Sequence, residues 1–349
     1  MKIIFCGYRN PDFRTITEYA REALSSAGAE VSFFDDREFF IPARIREAVP
    51  FLIDMELRRM NRRLLRKTER YRPEMIFVCG GYRILPSALS CLRDMGIITV
   101  LWTIDAPNDD FKTLIKAAPY YTHVFCGGSE AIELFRGAGV NNAEWLPFAC
   151  NPAEHKKREL EEVETRSLGC DICFVGTVDP QLYPERVKLL ESISSLDLKA
   201  WGPGAKSLPA SSPLKRKMAG GKTPPELWTK IYSAAKIVLC THYSDPGKKY
   251  PSYQASPRVY ETMACGAFLM CDAQKDVMSL FEDGRHLVIF KDAEDLRKKI
   301  AYYLANPEKR EAIARAGRDE VLKRHTYLDR MKVILENVRQ NGKRTGKIF

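Results

Sequence analysis

A short segment near residue 260 combines an arginine and a glutamate with the signals that begin a helix. Ser256 and Pro257 are typical of the N-cap and the first position of a helix, and apolar residues follow them. The free N–H groups and the positive dipole end of such a helix favour phosphate, and Arg258 in the first turn is suited to a diphosphate. Glu261, one turn on, is placed to accept hydrogen bonds from ribose hydroxyls. The alternative is that Glu261 is a solvated side chain on an ordinary helix face.

Further candidate residues follow predicted strands in the second half of the chain. Ligands of open parallel sheets bind where the strands end, so these positions are candidates for contacts to the same nucleotide. They are Gly176, Thr177, Trp201 and Tyr243. His242, which also follows a strand, is a candidate for a catalytic contact with the bound nucleotide compound or its phosphate. A packed or exposed structural histidine is the alternative.

One carboxylate in the first half has the position expected of a catalytic base. Asp105 follows an apolar strand predicted over residues 97–102. A base at such a strand end can take the proton of an attacking hydroxyl group. The alternative is a turn or N-cap role, for which the run at residues 108–110 competes.

Short apolar strands alternate with amphipathic helices along most of the chain, which indicates an α/β protein with parallel sheets. The pattern stops in a charged stretch and then restarts, which predicts two Rossmann-like domains. The predicted domains are residues 1–150 and 169–325, with residues 151–168 as a linker and residues 326–349 as a terminal helix. Helical spacing spans residues 45–71, whereas residues 209–221 are predicted to form a loop.

The composition is that of an ordinary globular protein. The chain has 349 residues, of which 45% are hydrophobic, and this length predicts two domains. No apolar run approaches the roughly 20 residues of a membrane helix, and the N-terminal residues do not resemble a signal peptide, so we expect a cytoplasmic protein. Cys170 and Cys173 form a single Cys-x-x-Cys pair without the partners of a zinc site, so we expect no metal.

Charge is unevenly divided along the chain. Residues 1–170 have no net charge, so the net charge of +10 falls in residues 171–349. A basic half indicates an anionic partner such as a nucleotide, a phosphate, a nucleic acid or a membrane surface. A dense basic stretch between Arg58 and Arg72 has an apolar side and is a candidate for contact with an anionic surface or acceptor. A solvated helix face is the alternative there.

The segment at residues 258–269, RVYETMACGAFL, resembles the R-x-(F/Y)-E-(A/T)-M-A-C-G signature of GT-B glycosyltransferases, and in particular the spore-maturation (CgeB-like) family. The resemblance extends over residues 170–335 and includes DICFVGT at residues 171–177 and LFEDG at residues 280–284. The first domain matches mainly at residues 102–107.

The resemblance implies a GT-B fold, in which two Rossmann-like domains face a cleft and C-terminal helices cross back to the first domain. It implies that the second domain binds a nucleotide-diphosphate sugar and the first an acceptor, with no bound metal or other cofactor. Glu261 would hold the ribose, and the loop at Gly176-Thr177 would approach the diphosphate. Many retaining members carry a second glutamate where this chain has Tyr253, beside Lys248 and Lys249. That difference leaves the donor-sugar contacts and the stereochemical outcome open.

The sequence therefore predicts a glycosyltransferase that moves a sugar from a nucleotide-sugar donor to an acceptor hydroxyl group. The leading candidate for the donor is a UDP-sugar. The sequence does not decide whether the acceptor is a glycan, a protein or a small molecule. We expect no nucleic acid partner. Two alternatives remain. One is a nucleotide-sugar epimerase or hydrolase on the same fold, and the other is a non-catalytic protein that binds sugars or polyanions.

Overall fold

The computed structural model describes residues 1–247 and 249–344, and it divides the chain into two compact units. The first comprises Met1–Pro147 together with the C-terminal segment that begins at Tyr327, and the second comprises Phe148–Thr326. The boundary is close to the one predicted at residue 150. Residues 151–168, predicted to be a linker, are instead part of the second unit.

The first unit contains a sheet of six parallel strands. They are β1 (Lys2–Gly7), β2 (Glu30–Asp35), β3 (Met75–Cys79), β4 (Ile98–Thr103), β5 (His123–Cys126) and β6 (Ala143–Trp145). Their order in the sheet is β2-β1-β3-β4-β5-β6. Every residue of β3 and β4 is buried, as expected for strands covered by helices on both faces. The strand order reverses between β1 and β3, so the ligand crevice of this type of sheet lies at their carboxyl ends.

Six helices of the first unit connect these strands. They are α1 (Ile16–Ser26), α2 (Ala43–Ala48), α3 (Pro50–Tyr71), α4 (Pro86–Asp94), α5 (Phe111–Ala117) and α6 (Ser129–Gly137). The single helix predicted over residues 45–71 is therefore two helices. The break has a local cause, because a residue before proline is driven into extended backbone. Val49, which precedes Pro50, has φ −134° and ψ 95°.

The second unit also contains six parallel strands. They are β7 (Cys170–Val175), β8 (Leu198–Trp201), β9 (Met218–Gly220), β10 (Ala235–Cys240), β11 (Leu269–Asp272) and β12 (Val288–Phe290). Their order is β12-β11-β10-β7-β8-β9, so the order reverses between β7 and β10. β9 lies in the stretch predicted to be a loop. A three-residue strand that ends in glycine is too short to show an alternating pattern.

Seven helices cover the second sheet. They are α7 (Glu162–Leu168), α8 (Pro184–Ser192), α9 (Pro225–Ala234), α10 (Pro257–Ala264), α11 (Lys275–Leu280), α12 (Ala293–Ala305) and α13 (Pro307–Arg324). α8 and α12 contribute to one apolar cluster against the sheet. α9 contributes to a second cluster, which contains different strand residues. The two clusters correspond to the two faces of the sheet, because successive strand residues point to opposite faces.

α7 lies within the predicted linker, and polar contacts attach it to the rest of the second unit. Lys230 of α9 forms an ion pair with Glu164 of α7 at 2.5 Å. Just before α7, Arg158 donates hydrogen bonds from its side chain to Thr229 at 3.1 Å and from its backbone to Ser233 at 2.9 Å. A segment held by such contacts has no apolar periodicity, so its sequence resembles a linker.

The last helix, α14 (Tyr327–Arg344), returns to the first unit, as predicted. Tyr327 is buried there, with its ring centroid 6.3 Å from Trp102 and 5.7 Å from Tyr19. Arg330 donates from Nε to the carbonyl of Pro147 at 2.8 Å. Residues 345–349 of the predicted terminal segment lie outside the described residues.

This return changes where the charge of the chain lies. Residues 327–349 carry six basic and two acidic side chains. Since the segment belongs to the first unit, the net charge of +10 is shared equally by the two units rather than concentrated in the second. Charge by itself does not mark the second unit as the one that binds an anion.

Candidate functional site

The carboxyl edge of the second sheet brings together several of the predicted site residues. Gly176 and Thr177 follow β7, and His242 follows β10. α10 begins at the same edge, because it connects the end of β10 with the start of the neighbouring parallel strand β11. The edge includes the point where the strand order reverses, which is where ligands of such sheets bind.

Two glycine loops meet tightly at this edge. Gly202 has φ +146°, and a Cβ atom there would lie 1.9 Å from the carbonyl oxygen of Gly176. Backbone hydrogen bonds fix the contact: Gly176 N–H donates to Trp201 at 2.9 Å, and Gly202 N–H donates to Gly220 at 3.1 Å. The loop after β7 is therefore supported by the loop after β8, and Gly202 has no room for a side chain at the contact.

The change Gly202→Ala is expected to destabilise the protein by at least about 2 kcal/mol, because the backbone conformation and the contact with Gly176 both disfavour a Cβ atom. Thermal unfolding should show a melting temperature lower by about 4 °C or more. Gly221→Ala is the matched control, since a Cβ atom at Gly221 meets nothing within 4 Å. Equal melting temperatures for the two variants would contradict the packing argument.

The start of α10 has the arrangement that its sequence predicts. Ser256 is the N-cap, and its hydroxyl accepts a hydrogen bond from Arg258 N–H at 3.3 Å. Glu261 is only 7% exposed. Arg258 donates from Nη1 to Glu261 Oε2 at 3.1 Å, and its guanidinium lies over the ring of Trp228 at 4.7 Å. Glu261 is therefore a buried, ion-paired carboxylate and not a solvated one on a helix face.

A histidine that the sequence analysis placed in the linker lies against Glu261. His155 is fully buried, with its ring centroid 5.3 Å from that of Trp228. Its Nδ1 accepts a hydrogen bond from Asn151 N–H at 3.0 Å, so the neutral ring carries its proton on Nε2. Nε2 lies 4.0 Å from Glu261 Oε1. Burial lowers the pKa of His155, although the negative charge of Glu261 opposes this, which favours the neutral ring.

His242 lies in a different group of side chains. Asp272 accepts two hydrogen bonds from it: one from the backbone N–H at 3.0 Å and one from Nδ1 at 2.6 Å. Burial would raise the pKa of Asp272, but the charge and hydrogen bonds of His242 outweigh it and hold that pKa below its ordinary value. With Nδ1 bound in this way, Nε2 is left for another partner, and it has none among the residues that the structure describes.

A cavity of about 360 Å³ adjoins His242, and its walls also include Arg186, Thr241 and Ser244. Phe290 and Leu189, which line the same cavity, pack in or against the apolar cluster of α8 and α12. Trp228, the neighbour of Glu261, belongs to the cluster on the other face. The structure therefore places the His242 cavity and the Glu261 pair on different sides of the sheet edge.

Arg186 is a residue at this edge that the sequence analysis missed. It donates from Nη1 to the carbonyl of Thr177 at 3.0 Å and from Nε to the hydroxyl of Thr241 at 2.7 Å. Its guanidinium lies 3.8 Å from the ring centroid of Tyr183. Arg186 thereby ties the loop after β7 to the loop after β10. An arginine in the first turn of a helix that follows a glycine loop was the available signal.

One predicted nucleotide contact, Trp201, is placed differently from the expectation, whereas Tyr243 stays a candidate. Trp201 is 3% exposed and packs in the apolar cluster of α9 together with Cys170 and Cys173, so its indole offers no face to a base. Trp201 is a large apolar residue at the end of a strand, and burial of such a side chain in the core is more common than contact with a ligand. Tyr243 is half-buried, with its ring edge-on to Tyr183 at 5.8 Å.

The loop that differs from the retaining pattern is held by its own contacts. Tyr253 stands where many retaining GT-B enzymes have a second glutamate. Its ring centroid lies 4.5 Å from Lys275 Nζ, and its carbonyl accepts a hydrogen bond from Asp276 N–H at 3.1 Å. Lys249 N–H donates to the carboxylate of Asp245 at 2.7 Å. Lys248 lies outside the described residues.

In the first unit, Asp105 follows β4 and lines a cavity of about 810 Å³ at the carboxyl edge of the sheet. The N-cap of α5 is Asp110, so of the two alternative roles for Asp105, a turn or an N-cap, the N-cap is excluded. Asp105 is exposed along its cavity, and the protein atoms around its carboxyl group raise its pKa by desolvation against the lowering by Arg37, Tyr82 and Arg83. A carboxyl group with a raised pKa and access to a cavity is suited to proton transfer.

The basic stretch between Arg58 and Arg72 forms most of α3. Its apolar side is covered, since Met60 and Leu64 are buried. Part of its charge is paired, as in the ion pair of Arg58 with Asp54 at 2.8 Å. No helix among the described residues is long and apolar enough to cross a bilayer. Within residues 1–247 and 249–344, no group of three or more His, Cys, Asp or Glu side chains is placed to hold a metal.

Known proteins are similar to this chain in sequence and in structure. Residues 186–336 match the glycosyl transferase-like family. Spore protein CgeB of Bacillus subtilis (strain 168) is 23% identical over 280 residues, which cover 75% of this chain and 82% of CgeB.

Two solved structures share the fold over nearly the whole chain. Sucrose-phosphate synthase of Thermosynechococcus elongatus superposes with a TM-score of 0.72 at 14% identity, covering 97% of this chain and 98% of the synthase. HepE of Anabaena, in complex with UDP and glucose, superposes with a TM-score of 0.65 at 13% identity, covering 97% of this chain and 100% of HepE.

The two six-stranded parallel sheets, the returning α14 and these superpositions define a GT-B fold. The family match at residues 186–336 and the similarity to CgeB agree with the resemblance seen around Glu261.

Proposed function

We propose that the protein transfers a sugar from a UDP-sugar to an acceptor hydroxyl group. The observation that carries the donor part is the buried Glu261 in the second turn of α10, with Arg258 and Trp228 beside it. The fold-related HepE is known in complex with UDP and with UDP-glucose, which supports uridine as the base.

In this proposal the second unit binds the donor along the edge between β7 and α10. Glu261 accepts hydrogen bonds from the ribose hydroxyls, and its contacts with Arg258 and His155 fix its orientation. The diphosphate lies at the start of α10, near Ser256, where N–H groups and the helix dipole favour negative charge. The backbone at Gly176 and Thr177 approaches the same phosphates, and Arg258 adds a positive charge.

His242 is proposed as a further donor contact, which a donor bound at Glu261 would reach with its diphosphate or sugar by extending across the sheet edge. Its side chain is 2% exposed, and Asp272 holds the ring through Nδ1, so Nε2 has a fixed direction. A histidine oriented in this way presents a single donor or acceptor to a phosphate or sugar oxygen.

Asp105 of the first unit is proposed as the base that takes the acceptor proton. The acceptor oxygen forms a bond to the anomeric carbon, and the bond between that carbon and the diphosphate oxygen breaks. UDP leaves with the electron pair of the broken bond, and the hydroxyl proton goes to Asp105. A base that acts on the acceptor is what an inverting displacement requires.

The proposal needs no metal ion, because the start of α10 and Arg258 offset the charge of the departing diphosphate. Treatment with EDTA is therefore expected to leave the rate of UDP release unchanged. The measurement is a coupled assay of UDP, run with and without added Mg²⁺ or Mn²⁺. A loss of activity that either ion restores would contradict the expectation.

A thermal shift panel of nucleoside diphosphates tests the donor assignment. A ligand at 100 times its Kd stabilises a protein by about 2.7 kcal/mol, which corresponds to about 5 °C or more for a unit of this size. We expect UDP to raise the melting temperature more than ADP, GDP or TDP. If no nucleotide raises it, the proposal fails.

We also propose a cytoplasmic location. All ten cysteines are free thiols, which suits a reducing compartment. Cell fractionation with a tagged full-length protein tests this, and recovery outside the cytoplasmic fraction would contradict it.

A peripheral contact of α3 with an anionic surface is proposed as well. Arg63, Arg66, Lys67 and Arg70 line a surface cavity of about 610 Å³. Co-sedimentation with phosphatidylglycerol vesicles should exceed that with phosphatidylcholine vesicles, and the double change Arg66→Glu and Arg70→Glu should abolish the difference. No preference for anionic vesicles would contradict the contact.

A further inference from the structure

Three arginines line the cavity that contains Asp105, and we call Arg37, Arg46 and Arg83 the arginine wall. Arg37 and Arg46 come from the segment after β2, and Arg83 comes from the segment after β3. In the part of the chain that the structure describes, none of the three forms an ion pair with a carboxylate. Asp36, buried nearby, has an electrostatic interaction with Arg83.

Aromatic rings position the arginine wall. The guanidinium of Arg37 lies 4.2 Å from the ring centroid of Tyr8, and that of Arg46 lies 4.0 Å from the ring centroid of Phe39. A guanidinium that stacks on a ring keeps its N–H groups in a fixed plane, which is the geometry that recognises phosphate or carboxylate oxygens.

The three positive charges are close enough to affect one another. Burial lowers the pKa of Arg83, and Arg37 and Arg46 lower it further, against the opposite effect of Asp36. Arg46 and Arg83 are half-buried and Arg37 is exposed. Asp36 and Asp105 offset only part of the repulsion among the three cations, which is unfavourable unless another anion offsets the rest. A bound anion would remove that repulsion.

The cavity also contains carboxylates, and Asp105 interacts electrostatically with Arg37 and Arg83. Asp105 and Asp110 come from the segment after β4, and Glu47 also lines the cavity. In the sheet order β2-β1-β3-β4, the segments after β2 and β4 stand on either side of the reversal point. Two of the arginines therefore come from the β2 side of the reversal point and two carboxylates from the β4 side, whereas Glu47 lies beside Arg46 on α2. The cavity volume of about 810 Å³ is within the range of small-molecule sites.

We infer that the acceptor is an anionic hydroxyl compound, a phosphate monoester or a carboxylate, whose anion binds the arginine wall while a hydroxyl group meets Asp105. This inference rests on the proposed glycosyl transfer and names the class of its acceptor. A neutral sugar would use the carboxylates and bring no anion to the three arginines, none of which forms an ion pair with a carboxylate among the described residues. A bare anion would use the arginines and present no hydroxyl group to the base.

Binding of matched compounds to the full-length protein saturated with UDP tests the inference. The probes are glucose 6-phosphate, glucuronate, inorganic phosphate and glucose, and the readout is the melting temperature as a function of ligand concentration. We expect glucose 6-phosphate or glucuronate to stabilise the protein at lower concentrations than glucose. Which of the two is stronger separates the phosphate source from the carboxylate source.

Variants connect the effect with the arginine wall. Arg46→Gln and Arg83→Gln should each weaken anion binding by about tenfold or more, because each removes a charged hydrogen-bond donor. Arg46→Lys, which keeps the charge, should restore part of the loss. Arg136→Gln on α6, outside the cavity, is the matched control and should have no effect.

The outcomes separate this inference from the donor assignment. Glu261→Gln should lose the effect of UDP and keep the effect of the anion, whereas Arg83→Gln should do the reverse. Glucose binding as well as the anionic compounds, or equal anion binding by the wild type and both glutamine variants, would overturn the inference. Failure of UDP to bind would overturn the donor assignment. The arginine variants would then still test whether anionic compounds bind the arginine wall.

Discussion

Replacing Glu261 by glutamine is expected to weaken UDP binding by about 10- to 100-fold. A hydrogen bond to a charged group contributes about 1.5–3 kcal/mol, and an amide in place of the carboxylate loses the charge that the ribose hydroxyls meet. Isothermal titration of the full-length protein with UDP measures the change directly.

The burial of Glu261 makes a control necessary. Its change also removes the partner of Arg258, so the melting temperature without ligand must be measured to separate lost binding from lost folding. Glu294→Gln is the matched substitution, because Glu294 lies on α12 of the same unit and is exposed, with Lys298 at 2.7 Å. If Glu261→Gln folds and binds UDP as tightly as Glu294→Gln does, Glu261 does not hold the ribose.

The change Asp105→Asn is expected to lower kcat by about 10²- to 10⁴-fold, the usual contribution of a general base, and to leave UDP affinity unchanged. The pH profile gives a second readout. The base must be ionised, and the pKa of Asp105 is raised above its ordinary value. The rate of the wild type should therefore fall with decreasing pH at a value above the roughly 3.9 of an ordinary aspartate.

Asp109→Asn is the control for this change. Asp109 is exposed, with Lys112 at 3.9 Å, and it lies four residues further along the same segment. We expect its kcat and pH profile to match the wild type. If Asp105→Asn keeps the kcat of the wild type and its rate falls with decreasing pH in the same way, another group takes the proton.

The sequence predicts the architecture well where a pattern is local. The α/β alternation and the helix that begins at Ser256 follow from cap signals and apolar spacing, and the structure has both. The return of the chain at Tyr327 was implied by the family resemblance and not by a local pattern. The break between α2 and α3 was available from Pro50 alone, since the constraint that proline places on Val49 is also local.

The sequence does not predict contacts between distant segments. His155 lies in a charged stretch, and only the fold brings it against Glu261, 106 positions further along the chain. The same holds for Arg186, which donates a hydrogen bond to Thr241. It also holds for the arginine wall, whose residues come from the segments after β2 and β3. Trp201 shows the opposite error, because a position at a strand end does not say whether the side chain faces the ligand edge or the core.

Release of UDP from UDP-sugars, with and without anionic hydroxyl acceptors, tests the central claim most directly. The account predicts that the wild type releases UDP faster when an acceptor is present, with formation of a glycosylated product, and that Glu261→Gln and Asp105→Asn each abolish the increase. Release that does not depend on any acceptor, or conversion of the donor without a glycosylated product, would instead indicate a hydrolase or an epimerase and contradict the claim of glycosyl transfer.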